Sequence, residues 1–258
     1  MSTFDVLVVL PPMPPEQYRK AATAAMMPFF SEREVPEYRD YEPADPNTVD
    51  WVRANQERGL LPNREGLGWR EVADLMNART GWSPEDDGHL HVDDAGRGYY
   101  LSTRNPRGEW DGLGLRHGGP RLMHRPSAAG DPLLAAYDYR EVDPERDLLA
   151  GLANRCDGGP RGLLDFEALR TAHERLAGER HDVWAAGGEA PLDWPFRFTE
   201  DRAGNVARAR ADAVPGYALL RLDGTWTDKR DDDYLRDANA YLDALDPELV
   251  LLDLSCHC

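Results

Sequence analysis

The feature that most constrains this chain is a pair of apolar, β-branched runs near its two ends, Phe4–Leu10 (FDVLVVL) and Leu249–Leu254 (LVLLDL). Short continuous apolar runs bounded by turn formers are the pattern of strands covered on both faces. Two strands with so little polar surface must both lie inside a sheet, so the sequence predicts that the ends of the chain meet centrally in one sheet.

Between these runs the punctuation is strong. Pro11, Pro12, Pro14 and Pro15 stop the first run, and a helix is expected from Pro15, a residue suited to a first helical turn, to about Met27. Phe29–Pro46 reads as irregular, and a helix is expected over Thr48–Glu57. Trp69, Val72, Ala73 and Met76 recur at helical spacing. Tyr99–Ser102 reads as a short strand, Asn105–Gly130 as a long surface loop and Pro132–Val142 as a strand; Arg146–Ala153 reads as a short helix. Asp165 caps a helix to about Glu179, and Trp184–Gly204 reads as loop. Asp223-Gly224 marks a hairpin between Gly216–Leu222 and Thr225–Thr227, and an acid-started helix covers Asp231–Leu245. The expected fold is a single α+β domain, with a mostly antiparallel sheet, helices packed mainly on one face, and an irregular insertion around 81–130.

Charge narrows the function classes. The chain has 258 residues and a net charge of −17. A non-specific nucleic-acid binder needs a basic face to release counterions, so neither direct nucleic-acid binding nor docking on anionic membranes is expected. An acidic surface that imitates DNA is a separate reading. No window approaches the ~20 apolar residues of a membrane span. MSTFDVLVVLPP lacks the basic region and cleavage site of a signal peptide, so the cytoplasm, with thiols reduced, is the expected compartment.

Six patches, FDVLVVLPP, MMPFFSEREVPEY, YYLSTRNPRGEWDG, LLDFEALR, ALLRLDGTW and LLDLSCHC, occur in this order. Together they resemble an uncharacterised protein family of phages and of actinobacterial and Bacillus genomes. Its members carry an Asn-Pro-x-x-x-Trp-Asp segment and end in Cys-His; here Asn105-Pro106 through Trp110-Asp111 is the most specific match. The family continues with Trp-Tyr and Gly-Gly-Arg-Trp, whereas this chain reads GLGLRHGGPRL, and Ser255 stands where the family has Asp before Cys-His. The resemblance implies an accessory factor of phage or mobile-element type that binds a host component.

Four groups of residues carry candidate chemistry. In the first, Trp110 is either a flat apolar platform in a binding loop, with Asp111 as a carboxylate and Arg104 or Arg107 as anion contacts, or a core plug in a turn built by Asn105 and Asp111. The second is Cys256-His257-Cys258, which with His89 and His91 offers soft-metal ligands at poor spacing for zinc; the alternative is a buried Cys and a surface His at a strand end. The third is His117 and His124 near Asp111: a His beside a carboxylate serves as a general base, although two exposed loop histidines fit equally simple terms. The fourth is Arg116, Arg121 and Arg125, locally basic, which call for an anionic ligand or an intramolecular charge partner. The Asp228–Asp233 run reads as helix-start acids rather than a cation loop.

The expected function is non-catalytic binding of a host protein or small anionic ligand through residues 104–125, with Arg104, Asn105, Arg107, Trp110, Asp111, Arg116 and His117 as contacts and no cofactor. The alternative is a metal-assisted hydrolase or transferase that uses Asp111, His117 and the terminal Cys-His-Cys.

Overall fold

The computed structural model describes residues 3–41, 54–59, 61–62, 67–86, 88–113, 119–136, 149–188 and 198–257. In chain order the elements are β1 (Thr3–Leu10), α1 (Tyr18–Met26), β2 (Tyr38–Asp40), α2 (Trp69–Thr80), β3 (His91–Val92), β4 (Gly98–Ser102), β5 (Gly112–Leu113) and β6 (Leu122–Met123). They continue with β7 (Arg155–Cys156), β8 (Gly158–Pro160), α3 (Phe166–Ala185), α4 (Arg202–Asp212), β9 (Ala218–Leu220), β10 (Trp226–Asp228), α5 (Tyr234–Asp243) and β11 (Val250–His257). The fold is α+β, with a mostly antiparallel mixed sheet.

The chain divides into two compact units, 1–30 with 109–258, and 31–108. Where the sequence places an irregular insertion around 81–130, the second unit runs from Ser31 to Gly108, and residues 109–130 belong to the first unit. The reason is local burial: Leu61, Val72, Ala73, Met76 and Leu90 form a core of their own.

In the first unit a six-stranded sheet has the order β10-β9-β1-β11-β5, with β8 also on β11. The two apolar end runs pair directly and antiparallel, from Thr3 opposite His257 to Leu10 opposite Val250. β9 joins β1 in parallel, and the Asp223-Gly224 hairpin adds β10; Gly224 supplies the positive φ, +82°, that the turn requires. Gly158 marks a close approach, since a Cβ there would lie 2.0 Å from the Leu251 carbonyl oxygen.

One face of β1 and β11 (Leu7, Val9, Leu251) packs with Leu164, Leu169, Ala213, Tyr234 and Leu242, and so with α3, α5 and the end of α4. The other face (Val6, Val8, Leu10, Val250, Leu252, Cys256) packs with Tyr18, Ala22 and Met26 of α1 and with Trp110. α3 starts where Asp165 accepts a hydrogen bond from Ala168 N. α4 occupies part of what reads as loop and an unassigned stretch after it. Its N-cap Asp201 accepts from Gly204 N, and buried Asn205 exchanges hydrogen bonds with the Thr199 backbone at 2.7 and 3.2 Å. Residues 132–136, expected to begin a strand, form turns with one bridge at Ala135; of the helix expected over Arg146–Ala153, residues 149–153 form turns instead and 146–148 lie outside the described residues, as does most of Thr48–Glu57.

In the second unit β2, β4 and β3 form a three-stranded sheet, and Val92 and Tyr100 of that sheet pack with α2.

Candidate functional site

β11 reads differently on its two faces. Positions 250, 252, 254 and 256 are Val, Leu, Leu and Cys, whereas 251, 253, 255 and 257 are Leu, Asp, Ser and His. β1 does the same, since Asp5 shares a face with Leu7 and Val9. The antiparallel register puts Leu7 opposite Asp253 and Asp5 opposite Ser255, so both strands turn polar at the same level. One sheet face is therefore apolar at one end and polar at the other.

The polar end is bound together by ions. Arg121 Nη1 lies 2.8 Å from Asp5 Oδ2 and 3.7 Å from Asp253 Oδ1, and Asp253 is buried. Lys229 pairs with buried Asp212. Buried His173 of α3 has its pKa pushed down to about 3, by burial first and then by Arg121 and Lys229. Burial, with Asp212 adding, raises the Tyr234 hydroxyl above its ordinary value, and that hydroxyl donates to Pro215 O at 3.1 Å.

At the margin of this face His257 Nδ1 meets Asp111 Oδ1, and both atoms are shielded from solvent. Asp111 N also donates to His257 O at 2.9 Å, so β5 carries the carboxylate to the end of β11 through backbone pairing. The His257 side chain is 31% exposed although its Nδ1 is covered, so the exposure falls elsewhere on the side chain. Nε2 is hydrogen-bonded to no described residue. The ring lies over Gly112, where a Cβ would come within 2.4 Å of Nε2. Glycine at 112 is what lets the imidazole sit there.

The expected site residues separate accordingly. Asp111 and His257, read from different motifs, come together. Trp110 is 4% exposed; its Nε1 donates to Met26 O at 3.1 Å, and its ring lies 4.8 Å from Phe30. This corrects the platform reading, because a side chain with that much apolar area is held in the core and presents no face for recognition. Asn105 builds a turn, its Oδ1 accepting from Arg107 N at 3.0 Å. Arg104 and Arg107 are exposed and belong with Asn105 to the second unit. Arg116, His117 and Cys258 lie outside the described residues. His124 is buried, with Nδ1 donating to Arg125 O at 2.9 Å, which corrects the exposed-loop reading. Arg121 has intramolecular partners. Asp228 is buried against Arg230, which also reaches Glu109 at 2.7 Å, so this part of the acidic run is an ion-pair network.

Of the metal ligands expected from His89, His91, Cys256, His257 and Cys258, the last lies outside the described residues; among the described residues no group of three His, Cys, Asp or Glu side chains is arranged to hold a metal ion. His89 and His91 belong to the second unit and Cys256 and His257 to the first. Cys256 is fully buried on the apolar face of β11, and burial pushes the Cys156 thiol up to about 12. Among the described residues no helix is long and apolar enough to cross a membrane. No known protein family, curated protein or solved structure matches the chain.

Sequence reasoning singled out Arg121 and allowed it an intramolecular charge partner, but missed Asp5, Asp253, His173 and Lys229. The signal for the first two was present: a carboxylate inside each apolar run, at the position where one face changes character.

Proposed function

We propose that this protein is a hydrolase whose proton-transfer group is His257, oriented by Asp111. The observation that carries this reading is the contact between Asp111 Oδ1 and His257 Nδ1, buried at the contact on a side chain that is partly exposed elsewhere. A carboxylate on Nδ1 holds the proton there and leaves the Nε2 lone pair free to accept one. The Nε2 atom takes a proton from an attacking water, the Asp111 carboxylate stabilises the resulting imidazolium, and the proton passes to the leaving oxygen of an ester or phosphoester. General-base catalysis of this kind contributes roughly 10²–10⁴-fold in rate.

The test is to measure hydrolysis of p-nitrophenyl acetate, p-nitrophenyl phosphate and bis-p-nitrophenyl phosphate, and to read the His257 tautomer by ¹⁵N NMR. The expected result is turnover of one ester, reduced about 100-fold or more in His257→Ala, with His257 as the Nδ1–H tautomer, which reverts towards the Nε2–H form of free imidazole in Asp111→Ala. Gly112→Ala is expected to lower activity by displacing the ring while the protein stays folded. A wild-type His257 already in the Nε2–H form, or turnover untouched by His257→Ala, overturns the reading.

The second reading, binding of a host protein or small anionic ligand without catalysis, is favoured by the exposure of Arg104 and Arg107 beside the Asn105 turn. Under it, Arg104→Ala with Arg107→Ala abolishes binding, and Asp111 and His257 variants leave it unchanged.

A further inference from the structure

The second unit contains a cavity of about 510 Å³ between α2 and the segment that enters β3, lined by Arg70, Ala73, Asp74, Asn77, His89 and Leu90 among others. Small-molecule sites span roughly 300–1,000 Å³, so this volume admits a metabolite.

Part of the lining is fixed by its own hydrogen bonds. Asn77 Oδ1 accepts from Leu90 N at 3.0 Å, which orients the amide. Asn77 Nδ2 then donates to Leu90 O at 2.8 Å and to His89 Nε2 at 3.2 Å. His89 Nδ1 donates to Trp82 O at 3.1 Å. Both nitrogens of His89 are therefore engaged, so the ring acts as a held wall and not as a metal ligand. Behind it a column of rings continues: His91 lies 4.6 Å from His89 and stacks on Tyr99 at 5.2 Å and 17°.

Arg70 and Asp74 differ. They stand one helical turn apart on α2, both are exposed, and among the described residues the side chain of neither forms an ion pair or hydrogen bond. The order, cation before acid along the helix, is the less favourable one for pairing with each other. A lone anion brought to Arg70 would be repelled by Asp74, and a lone cation at Asp74 by Arg70. A ligand that carries both charges on groups bonded to one carbon satisfies the two together, and a flat apolar group on that ligand suits the His89 wall and the apolar Ala73 and Leu90 surface.

We propose that this cavity binds a free aromatic α-amino acid, with its carboxylate on Arg70, its ammonium on Asp74 and its ring against His89. The test is titration calorimetry of the whole chain with L-phenylalanine, with 3-phenylpropionate, which lacks the ammonium, and with 2-phenylethylamine, which lacks the carboxylate. The expected result is saturable binding of L-phenylalanine, weakened about tenfold or more for each analogue and for Arg70→Ala and Asp74→Ala. 3-Phenylpropionate should be indifferent to loss of Asp74, or gain from it. Both substitutions are on an exposed helix surface, and unchanged melting curves will show that folding is intact. Absence of L-phenylalanine binding, equal affinity for all three compounds, or affinity unchanged in both variants overturns the proposal.

Discussion

The two faces of β1 and β11 are built by the same residues' backbones and differ only in which alternate positions they expose. One face, Phe4, Val6, Val8 and Leu10 with Val250, Leu252, Leu254 and Cys256, is apolar from end to end and packs with α1. The other begins as core at Val9 and Leu251 and passes at Asp253 and Asp5 into an ion-paired region that leads to Ser255 and His257. A sheet needs only a few layers of apolar contact to hold, and what lies beyond them on the same face is free to carry charge. The difference teaches that this site is the continuation of the core by other means: its side chains are ordered by the same register that packs the leucines.

The largest effect that would break this comparison is at Arg121. If the polar half is desolvated interior, Arg121→Met leaves buried Asp253 and neighbouring Asp5 without their shared cation, at a cost of about 3 kcal/mol or more. Leu252→Ala, on the apolar face, is expected to cost about 2–5 kcal/mol through its cavity. Urea denaturation compares the two directly. A neutral Arg121→Met would make the polar half ordinary solvated surface, and the two faces would cease to be alike in energetic weight.

Next in size is a pH effect at His173. Its pKa lies at about 3 in the folded chain against an ordinary 6.5, because burial and then Arg121 and Lys229 disfavour its charged form. Between these values the unfolded chain binds a proton that the folded chain refuses, so stability falls as pH falls through 6.5 towards 3. The slope is up to about 1.4 kcal/mol per pH unit. Above the unfolded value the group is neutral in both states and contributes no slope. His173→Gln removes this contribution, so its denaturation midpoints should decline less steeply than wild type between about pH 6.5 and 5. Equal slopes would place His173 in contact with water.

Much of the frame was legible and much of the site was not, for physical reasons that single residues make plain. FDVLVVL, LVLLDL and Asp223-Gly224 carry local signals, continuous apolar character and a turn dipeptide, that need no tertiary context. α4 was invisible because RAGNVARARAD offers few apolar residues and an early Gly204; it is held by Asp201, by buried Asn205 and by Arg210, which reaches Glu167 of α3 at 2.8 Å. Asp111 and His257 were both singled out, yet their meeting depends on β5 pairing with β11, a contact between residues far apart in sequence that a two-residue strand does not advertise. Trp110 was ambiguous for the opposite reason: its composition fits a platform and a plug equally, and only its burial against Met26 and Phe30 decides.

The smallest prediction uses two neighbours that face opposite ways. Cys256 is fully buried among apolar side chains, and Ser255 is half-buried opposite Asp5 on the polar face. Cys256→Ala removes a buried sulfur and should cost about 1 kcal/mol, whereas Ser255→Ala should change stability by less than about 0.5 kcal/mol. Because the two Cα atoms are adjacent, backbone strain and position along the strand are shared, and the contrast isolates the face. In the p-nitrophenyl ester assay the order should invert, with Ser255→Ala the more damaging, since it stands two residues from His257 on the same side of β11. If Cys256→Ala proves the more damaging to turnover, the proton-transfer site does not lie on the polar face, and the comparison between the two faces describes packing alone.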